Sequence, residues 1–191
     1  MILGIDEAGR GPISGPVVVA GVVLNPARPV EGLTDSKKLS PKKRAQLTKL
    51  LIDRADAFCV IPVSVYCIDT INILQATLIG MKTVARQLDW PQHGLIQVDG
   101  NQLPQWSYFN SQAIVKGDAT QPCIAAASIL AKHYRDTLME QYDVTYPNYG
   151  FAQHKGYPTK QHLQAIHEYG VLPIHRRSFR PVAQYLKSNK K

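Results

Sequence analysis

Short apolar runs alternate with stretches of helical periodicity along the chain. Five of the apolar runs are predicted to be strands, at residues 1–5, 16–24, 57–65, 95–98 and 113–115. The first two are rich in β-branched residues and flank a glycine-rich loop. Pro62 lies within the third run and indicates an edge strand or an irregularity, because proline cannot donate a hydrogen bond in a sheet.

Four helices are predicted between and after these strands. The first begins at Ser40-Pro41, which combines an N-cap residue with proline at the first helical position. Its buried face would be formed by Leu47, Leu50, Leu51 and Ala55. Asp69 is predicted to cap the second helix. The apolar face of that helix, spaced by three and four residues, would be Ile71, Leu74, Leu78, Met81, Ala85 and Leu88. The other two helices are predicted over residues 124–142 and 159–169.

This alternation of strands and crossover helices predicts an α/β fold. The sequence contains no repeat, no low-complexity tract and no obvious linker. We expect a core over residues 1–145 and a basic, helical C-terminal extension over residues 146–191 that packs on this core.

The composition excludes several classes of protein. Of the 191 residues, 45% are hydrophobic and 19% are charged, which fits a folded domain rather than a disordered chain. No run of 18 apolar residues is present and the N-terminus has no signal-peptide pattern, so we expect no membrane association. Cys59, Cys67 and Cys123 match neither a disulfide framework nor a zinc site. We therefore expect reduced thiols in a cytoplasmic protein.

The positive charge is concentrated near the C-terminus. The formal net charge is +8, and residues 151–191 contain eight Lys or Arg against one acid. A second basic run is formed by Lys37, Lys38, Lys42, Lys43 and Arg44. This distribution favours a polyanionic partner, with nucleic acid first, although a basic tail that only increases solubility is the alternative.

Four carboxylates stand out because they follow predicted strands. Asp6 and Glu7 come directly after the first strand, and Asp99 and Asp118 close two later ones beside glycine. Strand ends are where ligand sites collect in α/β sheets. A single Asp at such a position can equally cap a turn, so the interpretation depends on the whole set.

Several carboxylates that converge repel one another unless a cation compensates their charge. An all-oxygen set without His or Cys nearby in the sequence suits Mg²⁺ or Mn²⁺. Two such ions can align an attacking water and stabilise the leaving oxygen in phosphodiester hydrolysis. The residues themselves therefore indicate a carboxylate–metal site for phosphoryl transfer.

The segment Gly4-Ile-Asp-Glu-Ala-Gly-Arg-Gly-Pro12 resembles the N-terminal signature of bacterial ribonuclease HII. Further blocks follow in the order found in that family. They are Asp35–Ser40, Ile71–Thr77, Val98–Gly100, Lys116–Asp118, Ala125–Lys132, Arg135–Asp136, His154–Thr159 and His175–Phe179. The resemblance covers nearly the whole chain, and no departure occurs at the four acids.

This resemblance implies a ribonuclease H-like fold with a central mixed sheet and a C-terminal helical extension. It also implies that Asp6, Glu7, Asp99 and Asp118 are catalytic and bind two Mn²⁺ or Mg²⁺ ions. The implied activity is hydrolysis of RNA in RNA/DNA hybrids, together with nicking on the 5′ side of single ribonucleotides in duplex DNA. The products would carry 3′-hydroxyl and 5′-phosphate ends, and we expect a monomeric enzyme of ribonucleotide removal.

The resemblance also implies two elements that recognise the substrate. Gly9-Arg10-Gly11 would read the 2′-hydroxyl and the adjoining phosphate, since glycine amides can approach a ligand closely. The alternative is a tight turn between strands. Tyr157 matches the tyrosine that packs against the sugar at the RNA–DNA junction, whereas a lone tyrosine usually serves ordinary packing.

A basic stripe is predicted on the helix that follows Asp118. Ser128, Lys132 and Arg135 fall at i, i+4 and i+7 and would hold phosphates, with a solvated helix face as the alternative. Ser36 and Lys37 are assigned to the substrate as well. Diffuse phosphate contacts are predicted for Lys37, Lys38, Arg176, Arg177 and Arg180.

Three other functions are open at this point. A non-catalytic nucleic-acid-binding domain would leave the strand-end acids unexplained. A ribonuclease HIII would need an N-terminal substrate-binding domain, for which Asp6 leaves no room. Another carboxylate–metal nuclease or integrase is disfavoured by the Gly-Arg-Gly and Lys-Gly-Tyr segments.

Overall fold

Within residues 1–106 and 109–189, which the computed structural model describes, five strands form one mixed sheet. The strands are β1 Ile2–Ala8, β2 Val17–Val23, β3 Ala57–Val63, β4 Leu95–Asp99 and β5 Asn110–Ile114. Their order is β3-β2-β1-β4-β5, with β1–β2 and β2–β3 antiparallel and the two other pairs parallel. The α/β fold with a mixed sheet is thus confirmed, and Pro62 lies in an edge strand as predicted.

Eight α-helices accompany the sheet in the described residues. They are α1 Pro41–Arg54, α2 Val65–Ile71, α3 Ile73–Gln87, α4 Gly117–Thr120, α5 Pro122–Thr145, α6 Phe151–His154, α7 Lys160–Tyr169 and α8 Arg180–Ser188. One face of the sheet packs on α3 and the other on α1 and α5. Strand β2 is consequently buried along its whole length, with Val18 and Ala20 facing α5 and Val19 facing α3.

The C-terminal helices share a core with the N-terminal part of the chain. Ile13 and Met139 pack in one apolar cluster with Phe151, Ile166 and Val182. Apolar burial of this kind stabilises the attachment of the extension to α5 and to the segment between β1 and β2. The division at residue 145 coincides with the end of α5 and stays a prediction, while Lys190 and Lys191 lie outside the described residues.

Helix α1 begins as predicted, with the Ser40 side chain accepting a hydrogen bond from the Lys43 amide. Leu47 and Leu51 are buried, but Leu50 is exposed, because the helix presents only one face to α5 and the sheet. The prediction that Leu50 is buried was wrong.

The second predicted helix is divided in two. Asn72 adopts a φ of 70° and caps α3 by accepting a hydrogen bond from the Gln75 amide. Asp69 lies inside α2 and accepts hydrogen bonds from the Arg177 and Ser178 amides instead. The prediction that Asp69 is a helix cap was therefore wrong, and the residue instead connects α2 to the segment before α8.

No helix in the described part of the chain is long and apolar enough to cross a membrane. Cys59, Cys67 and Cys123 are free thiols. The cytoplasmic location and the monomeric state stay predictions.

Candidate active site

Two of the four acids are brought together by strand pairing. Strand β1 runs parallel to β4 with Ile5 opposite Val98, so Asp6 and Asp99 follow as neighbours at the same edge of the sheet. Asp6 is buried, and its Oδ1 accepts a hydrogen bond of 2.7 Å from the Glu7 amide. The carboxylate is thereby held at a fixed position on a rigid strand.

Asp99 in turn positions Asp118. Its Oδ1 accepts hydrogen bonds from the amides of Gly117, at 2.8 Å, and of Asp118, at 3.4 Å. Lys116 adopts a left-handed conformation with a φ of 56°, which turns the chain from β5 into α4. Asp118, on the first turn of α4, is consequently held beside Asp99.

The negative charges affect one another. Burial raises the pKa of Asp6 well above its ordinary value, and the charges of Glu7 and Asp99 raise it further. Burial also raises the pKa of Glu7, against the opposing effect of Arg10, whose guanidinium lies 3.4 Å from Glu7 Oε1. The pKa of Asp118 is raised by burial and then by Asp99 and Asp35. A bound cation would favour the ionised forms of all three.

The carboxylates lie near one another, but they do not surround a single metal position. Among residues 1–106 and 109–189, no group of three His, Cys, Asp or Glu side chains has the arrangement of a ready metal site. Mg²⁺ usually takes only one or two carboxylates from a protein and completes its shell with water and substrate phosphate oxygens. An open set of oxygen donors of this kind fits such an ion.

Arg176 holds the Gly-Arg-Gly loop through hydrogen bonds to its backbone. The guanidinium donates hydrogen bonds to the carbonyl oxygens of Gly9 at 2.6 Å, Arg10 at 3.0 Å and Gly15 at 2.9 Å. Arg176 is fully buried, and burial lowers its pKa to about 9. The prediction that Arg176 makes diffuse phosphate contacts was wrong, because all of its nitrogens are directed at backbone carbonyls.

Arg135, like Arg176, is a buried arginine that donates hydrogen bonds to backbone carbonyl oxygens near the loop. Its nitrogens donate to the carbonyl oxygens of Ser14, Pro16 and Lys155, and the side chain is 1% exposed. The predicted phosphate-binding stripe of Ser128, Lys132 and Arg135 is thus interrupted at Arg135, whose nitrogens are directed at backbone carbonyls. This burial could not be predicted from the sequence, because the carbonyl partners lie up to 121 residues away.

All nine residues predicted to bind the substrate line one cleft of about 290 Å³, together with Glu7 and Ala8. The nine are Gly9, Arg10, Gly11, Ser36, Lys37, Ser128, Lys132, Arg135 and Tyr157. Their functional roles stay predictions.

The segment before α1 and helix α5 both contribute polar groups to this cleft. The hydroxyl oxygens of Ser36 and Ser128 lie 2.9 Å apart. Lys132 Nζ lies 2.7 Å from Asp136, which also pairs with the buried Arg44. Lys132 therefore lies at the cleft with a neighbour that already compensates part of its charge.

Tyr157 lines the cleft next to Gly11. Its ring is half-exposed, and Cε1 would lie 3.4 Å from a Cβ atom added at Gly11. The aromatic face and the Gly-Arg-Gly loop are thus in contact distance of one ligand.

The sequence model described as ribonuclease HII matches residues 3–182. The chain belongs to the ribonuclease HII family. The ribonuclease HII of Francisella philomiragia is 56% identical over 182 residues, which are 95% of this chain and 97% of that protein. The chain is therefore a metal-dependent endoribonuclease of a family that acts on RNA paired with DNA.

Solved structures agree with the ribonuclease HII assignment. The ribonuclease H2 of Pyrococcus horikoshii superposes with a TM-score of 0.78 at 29% identity, covering 100% of this chain and 99% of that one. Bst-RNase HIII, solved in complex with Mn²⁺, has a TM-score of 0.71 at 16% identity and covers 99% of this chain and 70% of that one. The second likeness concerns the fold alone. The non-catalytic alternative is excluded by the family.

Replacing Gly9 with alanine is expected to disable the enzyme. Gly9 has a φ of 94°, and an added Cβ would overlap the Arg135 side chain. Backbone strain and overlap together should lower the free energy of unfolding by about 3 kcal/mol, and cleavage of RNA/DNA hybrids should fall steeply.

Gly32 supplies the matched control for this substitution. It also has a positive φ, of 79°, but nothing lies within 4 Å of an added Cβ. Gly32→Ala should therefore cost only about 1 kcal/mol and leave cleavage intact. Both variants are compared by denaturant titration and a cleavage assay. Equal losses of stability and activity would contradict the explanation that the close approach of Arg135 to Gly9 excludes a side chain there.

Proposed function

We propose that this enzyme nicks duplex DNA on the 5′ side of a single embedded ribonucleotide, in addition to hydrolysing RNA in hybrids. The observation that carries the proposal is the adjacency of the carboxylate set to the cleft formed by Gly9–Gly11 and Tyr157. A sensor of one sugar hydroxyl beside a phosphodiester-cleaving centre is what this reaction needs.

The carboxylates would hold the cations. Asp6 and Asp99 are the central ligands of the proposal, and Glu7 and Asp118 complete the set. Two divalent cations would supply an activated water and charge stabilisation at the departing 3′ oxygen. Products with 3′-hydroxyl and 5′-phosphate ends follow from attack on phosphorus with loss of the 3′ oxygen. Mn²⁺, with which Bst-RNase HIII was solved in complex, and Mg²⁺ are the candidate ions.

The loop would select the sugar. The backbone of Gly9–Gly11 would contact the 2′-hydroxyl and the adjoining phosphate, and the Arg10 side chain lies beside Glu7 at the entrance. Lys132, Lys37 and the two serines Ser36 and Ser128 would bind neighbouring phosphates without reading bases. Arg135 acts in this proposal by packing against Gly9 and by donating hydrogen bonds to the carbonyl oxygens of Ser14 and Pro16.

The test uses three labelled duplexes: one with a single embedded ribonucleotide, an RNA/DNA hybrid and an all-DNA duplex. We expect cleavage of the first two with Mn²⁺ or Mg²⁺, none with chelator, and none of the DNA duplex. The cut in the first duplex should map to the 5′ side of the ribonucleotide. An enzyme that cleaves the hybrid but leaves the single ribonucleotide intact would refute the proposal.

Tyr157→Ala should selectively weaken cleavage at the single ribonucleotide. Its flat ring would pack on a sugar that lacks a hydroxyl, and loss of this stacking contact should cost about tenfold in kcat/KM. Tyr66→Ala is the control, because Tyr66 is 81% exposed and lies outside the cleft. Unchanged activity of Tyr157→Ala on that duplex would dismiss the assignment.

A further inference from the structure

Three buried histidines lie behind the cleft, and the proposed chemistry does not use them. They are His154, His162 and His175, which are 8%, 0% and 1% exposed. The rings of His154 and His162 stack with centroids 4.3 Å apart, and His162 contacts His175 through their Nε2 atoms at 3.0 Å. Polar rings are costly to bury unless their nitrogens are paired, so the pairing of each nitrogen is informative.

The partners fix the direction of every hydrogen bond. His175 Nδ1 accepts from the Leu172 amide at 2.8 Å, so its proton is on Nε2 and is donated to His162 Nε2. His162 must then carry its own proton on Nδ1, which donates to the Tyr157 carbonyl oxygen at 2.9 Å. All three rings are neutral in this arrangement, since His154 Nδ1 accepts from the Gly156 amide and its Nε2 donates to the Tyr149 carbonyl.

This series of hydrogen bonds ends at Tyr157, the residue that would contact the sugar. The Tyr157 amide donates to the His154 carbonyl oxygen at 2.9 Å, and the Tyr157 carbonyl accepts from His162. The backbone of Tyr157 is therefore fixed on both sides, while its ring remains half-exposed beside Gly11.

At its other end, the hydrogen-bonded series begins at His175, which is next to the residue that holds the Gly-Arg-Gly loop. His175 precedes Arg176, whose amide donates to the Ile13 carbonyl oxygen at 2.8 Å and whose guanidinium holds Gly9 and Arg10. Burial lowers the pKa of His162 to about 3 and that of His175 to about 4, so both rings stay neutral at neutral pH. Tyr157 and the Gly-Arg-Gly loop are thus joined through the hydrogen bonds of His162, the peptide bond between His175 and Arg176, and the hydrogen bonds of Arg176.

We propose that His162 is a positioning residue that fixes Tyr157 against the Gly-Arg-Gly loop and so sets the preference for a single ribonucleotide within DNA. The proposal rests on the proposed function, because it assumes that Tyr157 contacts the junction sugar. His162 itself touches neither substrate nor reacting atoms.

Two substitutions test the two hydrogen bonds of the His162 ring one at a time, the bond to the Tyr157 carbonyl and the bond to His175. In His162→Asn the amide nitrogen lies near the position of Nδ1, so it can still donate to the Tyr157 carbonyl. In His162→Gln the longer side chain carries its amide to the position of Nε2, so it can still accept from His175 but no longer reaches Tyr157. The measured quantity is the ratio of kcat/KM on the single-ribonucleotide duplex to kcat/KM on the RNA/DNA hybrid.

We expect His162→Gln to lower this ratio about tenfold, while His162→Asn keeps it near the wild-type value. If both variants lose equally on both substrates, or if His162→Gln keeps the wild-type ratio, the proposal is overturned. Tyr157→Ala in the same assay distinguishes the failures: a ratio unchanged by Tyr157→Ala removes the assignment of Tyr157 itself, and with it the task proposed for His162.

A second measurement needs no variant. A ¹⁵N–¹H spectrum of the histidine rings in the wild-type enzyme should show the proton of His162 on Nδ1 and those of His154 and His175 on Nε2. A His162 ring protonated on Nε2 would break the series of bonds and overturn the proposal, even if the substituted proteins fail to fold.

Discussion

Asp118→Asn is expected to lower kcat on an RNA/DNA hybrid by about 10³-fold or more while the protein stays folded. The substitution keeps the shape of the side chain and the hydrogen bonds of Asp99 to the α4 amides, but it removes one negative charge from the set. Charge stabilisation by a bound cation is worth several kcal/mol in such reactions, and about 1.4 kcal/mol corresponds to a factor of ten.

The change in Tm of Asp118→Asn distinguishes a loss of catalysis from misfolding. Asp118 is repelled by Asp99 and Asp35, so removing its charge should leave the Tm unchanged or raise it slightly. Asp53→Asn makes the same chemical change on an exposed position of α1 and should alter neither activity nor Tm. An Asp118→Asn enzyme with near-normal turnover would show that this residue has been given the wrong role.

Arg176→Ala is expected to lower the free energy of unfolding by about 3 kcal/mol or more and to reduce cleavage at least about a hundredfold. The buried guanidinium is the donor for three carbonyl oxygens of residues 9–15, and alanine leaves all three without it. The loop that would contact the sugar then loses its support, so both stability and activity should suffer.

Arg177 provides the neighbouring control for this substitution. Its side chain is exposed, so Arg177→Ala should change stability by less than about 0.5 kcal/mol. Arg176→Lys should behave more like Arg176→Ala than like the wild type, because an ammonium group cannot reproduce the planar three-donor arrangement. Denaturant titration and hybrid cleavage measure both outcomes, and an Arg176→Ala enzyme as stable as Arg177→Ala would contradict the account of the loop.

The strand at residues 95–98 and the carboxylate that ends it could be predicted from the sequence because both are local features, whereas Asp6 and Glu7 lie inside β1 and Asp118 lies on the first turn of α4. An apolar run such as residues 95–98 followed by Asp99-Gly100 identifies a strand and the carboxylate that ends it. The parallel pairing of β1 with β4, which brings Asp6 beside Asp99, depends on the strand order and is not determined by these local patterns. The family resemblance added the Gly-Arg-Gly loop and Tyr157, which no periodicity would have selected.

Features that depend on distant partners could not be predicted. Arg176 reads as one more basic residue in a basic segment, and its burial depends on the Gly15 carbonyl, 161 residues earlier in the chain. Asp69 has the residue type of a helix cap, but its partners are the amides of Arg177 and Ser178.

Helix α8 was missed although the sequence contained a signal for it. Pro181 lies in the first turn, and Val182, Tyr185 and Leu186 have helical spacing on the side that packs into the C-terminal cluster. The histidine cluster had no such signal. His162 lies in α7 and His175 follows only after the end of that helix, in a segment whose composition suggests only a basic surface.

Binding of Mn²⁺ to the enzyme with an all-DNA duplex, followed by electron paramagnetic resonance, tests most directly whether the four acids gather divalent cations. The wild type and Asp53→Asn should bind Mn²⁺ alike, whereas Asp6→Asn should weaken binding by about tenfold or more. Equal Mn²⁺ affinity in Asp6→Asn and the wild type would contradict the carboxylate–metal centre on which the proposed chemistry depends.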